Sequence, residues 1–235
     1  MLAAIEQAAA AVAEEWQGEQ AVPPLVVWRR TVEETKQTAL NALQHPAPAL
    51  SGQRSFTEVP FGGQDGKADG ALPWDPSRPV EIAGTGFQIS GYIDRLDLSG
   101  DGGQARVIDY KGGKLPAKPV TLNGGKELQR CLYAYAVKAL LGEDIEIDAA
   151  LLYPRDTEAR HLEEPAAVLE NLAGHLTAAR ESLVAGRALI GPDNGGDYDD
   201  LSFALPANAG NGYCPRKLEL AREVLGDAAL VWEVI

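Results

Sequence analysis

Residues 91–113 read GYIDRLDLSGDGGQARVIDYKGG, two strand-like runs joined by the tight stretch Gly100-Asp101-Gly102-Gly103. Such a Gly-rich turn between two runs is a hairpin signal. With Gly100 to Gly103 as a four-residue loop, Ser99 faces Gln104. Counting back in register then sets Asp94 opposite Asp109 and Tyr92 opposite Lys111. Side chains alternate faces along a strand, so Asp109 and Lys111 point the same way. Two carboxylates and an ammonium share one surface.

Like charges directly opposite on paired strands cost about 0.2–1 kcal/mol even when exposed, so a divalent cation is the natural partner of Asp94 and Asp109. Mg²⁺ prefers oxygen ligands, one or two carboxylates with several waters retained. Asp94, Asp109 and the backbone carbonyl of Tyr110 can supply them. Lys111 is then left to hold a phosphate or to steady an attacking water, whose pKa the metal lowers. The same spacing also has an ordinary reading, in which the acidic residues from Asp94 to Asp101 are solvated hairpin positions and Lys111 is a strand-end charge. Spacing alone does not choose.

The strings GYIDRLD (Gly91 to Asp97) and VIDYKGG (Val107 to Gly113), followed by Leu128, Gln129 and Tyr133 in an L-Q-x-x-x-Y spacing, resemble the nuclease domain of the RecB family within the PD-(D/E)XK superfamily. Three blocks occur in the family's order over roughly residues 55–155. The resemblance implies a restriction-endonuclease-like α/β core, a central mixed β-sheet flanked by helices. It implies that Asp94 and Asp109 bind Mg²⁺ or Mn²⁺, that Lys111 assists catalysis, and that Gln129 and Tyr133 line the DNA-facing side. Gln129 and Tyr133 are i,i+4 neighbours on a predicted helix and share a face. Without the other blocks they would read as a tyrosine packed on the sheet beside a surface glutamine. Lys114 and Arg130 are further DNA-contact candidates. In resembling enzymes this module is often fused to, or partnered with, a helicase in double-strand-break processing.

Two departures stand beside the match. Family members commonly carry a histidine on an N-terminal helix that completes the metal site. Here the nearest counterpart is His45, at a helix end before Pro46, where a surface histidine is the ordinary reading; His161 and His175 follow the core. Glu58, in the strand-like 54–61, is the other candidate oxygen ligand, or else an outward residue of an edge strand. Several relatives also hold a four-cysteine iron–sulfur cluster, which a chain containing only Cys131 and Cys214 cannot build. Cys131 reads as a small buried hydrophobe. The absence of a disulfide framework fits a reducing cytoplasm.

The 235 residues, 45% of them hydrophobic, suffice for one full core with a helical appendage. No membrane association is expected: the Ala-rich start, Leu2 to Ala13, is too short to span a bilayer and lacks the basic flank of a signal peptide. The net charge of −13 argues against a freestanding nucleic-acid binder, since phosphate contacts need cations. Its distribution says more: Gly91 to Arg130 holds seven basic against five acidic residues, a segment of +2 in a remainder of −15. Tight DNA binding is expected to need a partner or another domain.

A pass along the chain predicts helices at about 2–17, 30–44, 126–141 and 165–186, and strands at about 53–60 and 145–153. The Gly- and Pro-rich 61–79 reads as a loop or disordered insertion, 80–111 as the hairpin, and 114–125 as a linker. The expected organisation is an N-terminal helical segment (1–50), a nuclease core (51–190), and a C-terminal acidic loop and helix (191–235). GPDNGGDYDD (Gly191 to Asp200) lacks the register of a calcium loop and reads as a solvated acidic loop. Arg216, Lys217 and Arg222 read as surface charges. The missing histidine block and the start at Met1 point to a fragment of a longer protein or a compact stand-alone relative. A different class stays open: a noncatalytic DNA-binding or scaffold domain of a helicase–nuclease complex, which keeps the hairpin without efficient cleavage.

Overall fold

The computed structural model describes residues 1–45, 47–64, 71–189, 191–192 and 205–234. Two helices, α1 (Leu2–Glu19) and α2 (Leu25–Gln44), precede strand β1 (Arg54–Phe61), a short hairpin of β2 (Val80–Ile82) and β3 (Phe87–Ile89), and the long hairpin of β4 (Gly91–Leu98) and β5 (Gln104–Tyr110). Helix α3 (Gln129–Leu141), strands β6 (Glu146–Tyr153) and β7 (Glu158–His161), and helices α4 (Pro165–Val184) and α5 (Tyr213–Leu225) follow. Helix α2 begins five residues earlier than the pattern suggests, directly after Pro24. A proline that ends the preceding extended chain and lacks an N–H is compatible with a helix start.

The long hairpin closes as its turn residues dictate. Ser99 N–H donates to Gln104 O at 3.0 Å, Gln104 N–H donates to Ser99 Oγ at 2.9 Å, and Gly103 N–H donates to Asp101 Oδ1 at 3.0 Å. Gly102 has φ 75°, a conformation open to glycine at no steric cost. The pairing runs from Leu98↔Ala105 to Arg95↔Ile108. Beyond that pairing, Asp94 Oδ2 accepts the Tyr110 N–H at 2.9 Å, which brings its charge close to Asp109.

The main sheet has the order β1-β4-β5-β6-β7. Its β5–β6 pair is parallel and the other three pairs are antiparallel. A parallel pair needs a crossover connection, and α3 provides it. The fold is therefore the expected α/β core, a mixed sheet flanked by helices. On the α3 side, Ile93, Leu96, Val107 and Ala149 meet Cys131, Ala134 and Val137 in one buried cluster. Each Val, Leu or Ile buried there contributes roughly 1.5–3 kcal/mol. The opposite side is covered by the end of α2, where Leu43 and His45 approach Ile108 and Leu152 and Asn41 Nδ2 donates to Pro154 O at 2.9 Å.

Two parts differ from the sequence reading. Within 61–79, the described residues after Phe61 form a loop, but one anchored on the core: Trp74 is buried, with its Nε1–H donating to Pro60 O at 2.8 Å, and Leu72 packs against the same cluster. Residues 80–111 form two hairpins, because Gly84 and Gly86 at φ 75° and 72° turn the chain back early. Of the acidic stretch Gly191 to Asp200, residues 193–200 lie outside the described residues. Among the described residues, no helix is long and apolar enough to cross a membrane.

Candidate active site

Alternation along β5 divides its side chains between the two faces of the sheet. Ala105, Val107 and Asp109 point toward α3, while Arg106 and Ile108 point toward α2. Asp109 is 3% exposed, and Lys111, two residues on, returns over it with Nζ 2.7 Å from Asp109 Oδ2. Asp94 reaches across from β4, and its Oδ2 accepts the backbone N–H of Tyr110 at 2.9 Å. The structure thus brings Asp94, Asp109 and Lys111 to one place.

Helix α3 supplies the rest. Lys111 Nζ donates to Gln129 Oε1, the Gln129 side chain also contacts the Tyr133 hydroxyl, and that hydroxyl donates to Asp109 Oδ1 at 3.4 Å. Lys111, Gln129, Tyr133 and Asp109 form a closed ring of polar contacts. Tyr133 is seated by Phe61, whose ring meets it edge-on at 6.3 Å and 82°.

The electrostatics follow from burial. Desolvation pushes the Asp109 carboxyl above its usual range; Lys111 opposes this, and the nearby charge of Asp94 adds to it. Tyr133 is also raised, first by burial and then by Asp109 and Asp94, so its hydroxyl keeps its proton at neutral pH. The Lys111 ammonium, 2.7 Å from Asp109 Oδ2, pairs with the buried carboxylate and offsets part of the cost of its burial. Asp94 and Asp109 together offer hard oxygen donors that fit a divalent cation keeping several waters. Among the described residues, no group of three histidine, cysteine or acidic side chains converges.

Several expected participants lie elsewhere. His45 borders the pocket lined by Arg95, Arg106 and Ile108, on the opposite side of the sheet from Asp109, so it does not complete this site. Glu58 occupies the register position opposite Asp94, in the one gap of the β1–β4 ladder, with φ 49° and an exposed side chain. It does not join a three-ligand cluster. Arg130 requires a correction: at 2% exposure it cannot serve as a DNA contact. Its guanidinium donates to the carbonyls of Val120, Thr121, Arg160 and His161 and to Glu127 Oε2, at 2.6–3.2 Å. Five donors in a rigid fork suit this work, and the residue pins the 114–125 segment to β7. Lys114 remains on the surface. Cys131 is buried in the core, and burial pushes its thiol up to about 12.

A polar cluster that the sequence reading missed sits on the far face: Arg106 Nε donates to Asp148 Oδ2 at 2.9 Å, and His161 Nδ1 lies 2.6 Å from Asp148 Oδ1. Its only sequence signal was the alternation of Arg106 with apolar neighbours.

A family model described as the PD-(D/E)XK nuclease superfamily matches residues 1–216. No curated protein matches the chain.

Proposed function

Because the chain belongs to the PD-(D/E)XK nuclease superfamily, we propose that it is a RecB-type, divalent-metal-dependent deoxyribonuclease that hydrolyses phosphodiester bonds in DNA repair or recombination. The observation that carries this reading is the buried Asp109 carboxylate, paired with Lys111 and gathered with Asp94, which reaches across to the Tyr110 N–H. Asp94, Asp109 and the Tyr110 carbonyl would hold Mg²⁺ or Mn²⁺. When bound, the ion supplies Lewis-acid polarisation of the phosphate and lowers the pKa of a water.

The chain's own residues do the remaining work. Asp94 fixes the backbone between Asp109 and Lys111 through the Tyr110 N–H. Lys111, held by Gln129, places a fixed positive charge where a phosphate oxygen gathers negative charge. Tyr133 keeps its proton and donates toward Asp109, while Gln129 and Tyr133 present the wall that faces the strand. Lys114, on the surface beyond the site, adds a phosphate contact. Residues 51–190 act as the nuclease core, with 1–50 and 191–235 as appended segments. The modest positive segment suits work beside a helicase domain or subunit in the cytoplasm.

A second reading, a noncatalytic DNA-binding or scaffold domain, draws support from one observation: His45 lies on the far face, and no third ligand side chain joins Asp94 and Asp109 among the described residues. Cleavage of labelled single- and double-stranded DNA in Mg²⁺, Mn²⁺ or EDTA separates the two. Metal-dependent cutting that Asp109→Ala and Lys111→Ala both abolish is the expected result. Folded protein that binds DNA yet cuts none of it under either metal would replace the first reading with the second.

A further inference from the structure

On the face of the sheet opposite Asp109, the end of α2 and the chain that follows it close over a cavity of about 200 Å³. Ile108 and Leu152 supply an apolar floor, and the polar lining is His45, Gln53, Arg95 and Arg106. Among the described residues, no acidic side chain lines it.

The two arginines are fixed from behind. Arg106 is 7% exposed; its Nε donates to Asp148 Oδ2 at 2.9 Å and its Nη1 to Pro48 O at 3.0 Å. Arg95 Nε donates to Asp97 Oδ1 at 3.0 Å, and its guanidinium also bonds the Tyr110 side chain. A guanidinium carries five N–H donors, so each arginine keeps donors with no partner among the described residues. Gln53 Oε1 accepts the Leu50 N–H at 2.9 Å and its Nε2 donates to Ser55 Oγ at 2.9 Å. That holds the amide in place with one N–H to spare. The field in the cavity is positive as well. Burial, then the charges of His161, Arg106 and Arg95, hold the His45 imidazole below its usual value, with Glu158 alone opposing. At this point the arginines outweigh Asp97 and Asp148 behind them.

Fixed donors in a positive field, with no carboxylate among them, match an oxyanion, and guanidinium forks suit the oxygens of a phosphate or its like. Size narrows the class. The cavity lies below the about 300–1,000 Å³ of sites for drug-sized ligands. At roughly 30 Å³ for each water, it takes a small ion and a few waters but no nucleotide.

Independently of the nuclease reading, we propose that this cavity binds a free tetrahedral oxyanion of the phosphate class, held by Arg95 and Arg106 from the sheet and by His45 from the end of α2. The bound ion ties α2 to β4 and β5. A negative charge beside His45 favours its protonated ring, so binding takes up a proton there and tightens as pH falls.

Sulfate is the better probe of that pH dependence, because phosphate changes its own charge near pH 6. Calorimetric titration with sulfate, balanced with chloride to constant ionic strength, is expected to show one site, tighter at pH 6 than at pH 8 by about fivefold or more. Nitrogen-15 spectra of the three histidines follow the proton directly: sulfate raises the His45 midpoint and leaves that of His175 in place. His45→Gln binds sulfate equally at both pH values. Arg106→Gln weakens binding about ten- to hundredfold at either pH, the worth of a hydrogen bond between charged groups. Since Arg106 also holds Asp148, Arg95→Gln, at a side chain 22% exposed, gives the same reading where the first variant does not fold. Phosphate at pH 8 binds as sulfate does, and a nucleoside monophosphate binds at least about tenfold more weakly because its body exceeds the cavity. Sulfate binding no stronger than chloride, a pH dependence that survives His45→Gln, wild-type affinity in a folded arginine variant, or a monophosphate that binds as tightly as phosphate would overturn the proposal.

Discussion

Asp94 Oδ2 accepts the backbone N–H of Tyr110 at 2.9 Å, so one carboxylate of the site holds the residue lying between the other two participants, Asp109 and Lys111. A metal-ligand role and a strand-pinning role thus fall on the same side chain, and two substitutions separate them. Asp94→Asn keeps an oxygen that can accept the N–H but loses the charge. Its cleavage rate is expected to fall more than about a hundredfold, since even partners behind a ligand are worth about 10–100-fold, with the melting temperature close to wild type. Asp94→Ala also loses a hydrogen bond to a charged acceptor, worth about 1.5–3 kcal/mol, or about 3–12 °C for a domain of this size. Parallel melting and cleavage assays check this; equal melting of the two variants would mean that the Tyr110 bond holds nothing.

Lys111 and a divalent cation neutralise the same carboxylate. Lys111→Ala leaves Asp109 buried without its cation, at a cost of about 1–3 kcal/mol, below the value for a fully buried pair because Lys111 is itself 29% exposed. Mg²⁺ restores that charge balance. The melting temperature gained from EDTA to Mg²⁺ is therefore larger in Lys111→Ala than in wild type. A smaller gain in the variant would show that the ion binds away from Asp109.

Arg130 and Lys114 were both DNA-contact candidates, and burial separates them. Arg130→Ala strips a guanidinium from four carbonyls and Glu127, and breaking such a buried pair costs about 3–5 kcal/mol. Below its lowered melting transition the variant binds DNA with an unchanged salt dependence. Lys114→Ala leaves stability alone and, if Lys114 meets a phosphate, lowers the slope of log K against log salt by about 0.9. Denaturant titration combined with DNA binding at several salt concentrations reads both effects.

The hairpin and its polar face were legible because period-2 alternation and a Gly-rich turn are local properties. Ser99 facing Gln104 and Asp94 coming to Asp109 follow from counting alone. Gln129 and Tyr133 were placed by i,i+4 spacing, which also needs no tertiary knowledge. What failed needed three-dimensional information. A cationic residue on an amphipathic helix looks solvent-facing until the carbonyls of a distant strand turn out to surround it, as they do for Arg130. His45 sits at the expected point in the chain, yet which face of the sheet a helix end covers is set by packing. Trp74 lay in a Gly- and Pro-rich stretch where composition signals a loop, and only its indole hinted at an anchor. Strand β7, Glu-Ala-Arg-His, has no apolar alternation, because edge position removes the need for it.

His45 gives the chain a pH dependence independent of the candidate active site. Burial, then the positive charges of His161, Arg106 and Arg95, hold its imidazole below the usual histidine value of 6.5, with only Glu158 opposing. The folded state thus favours the neutral ring, while the unfolded chain takes up a proton near pH 6.5. Stability from this group is complete above pH 6.5, declines as pH falls from there toward the folded-state value, and changes no further below it. Asp148, whose carboxyl is lowered because His161 and Arg106 outweigh its burial, contributes only in a separate window: its stabilisation is present above pH 4 and lost in stronger acid. Denaturation midpoints between pH 5 and 8 are accordingly expected to fall with acidity in the wild-type protein and to flatten in His45→Gln. An unchanged slope in that variant would assign the titration to another group.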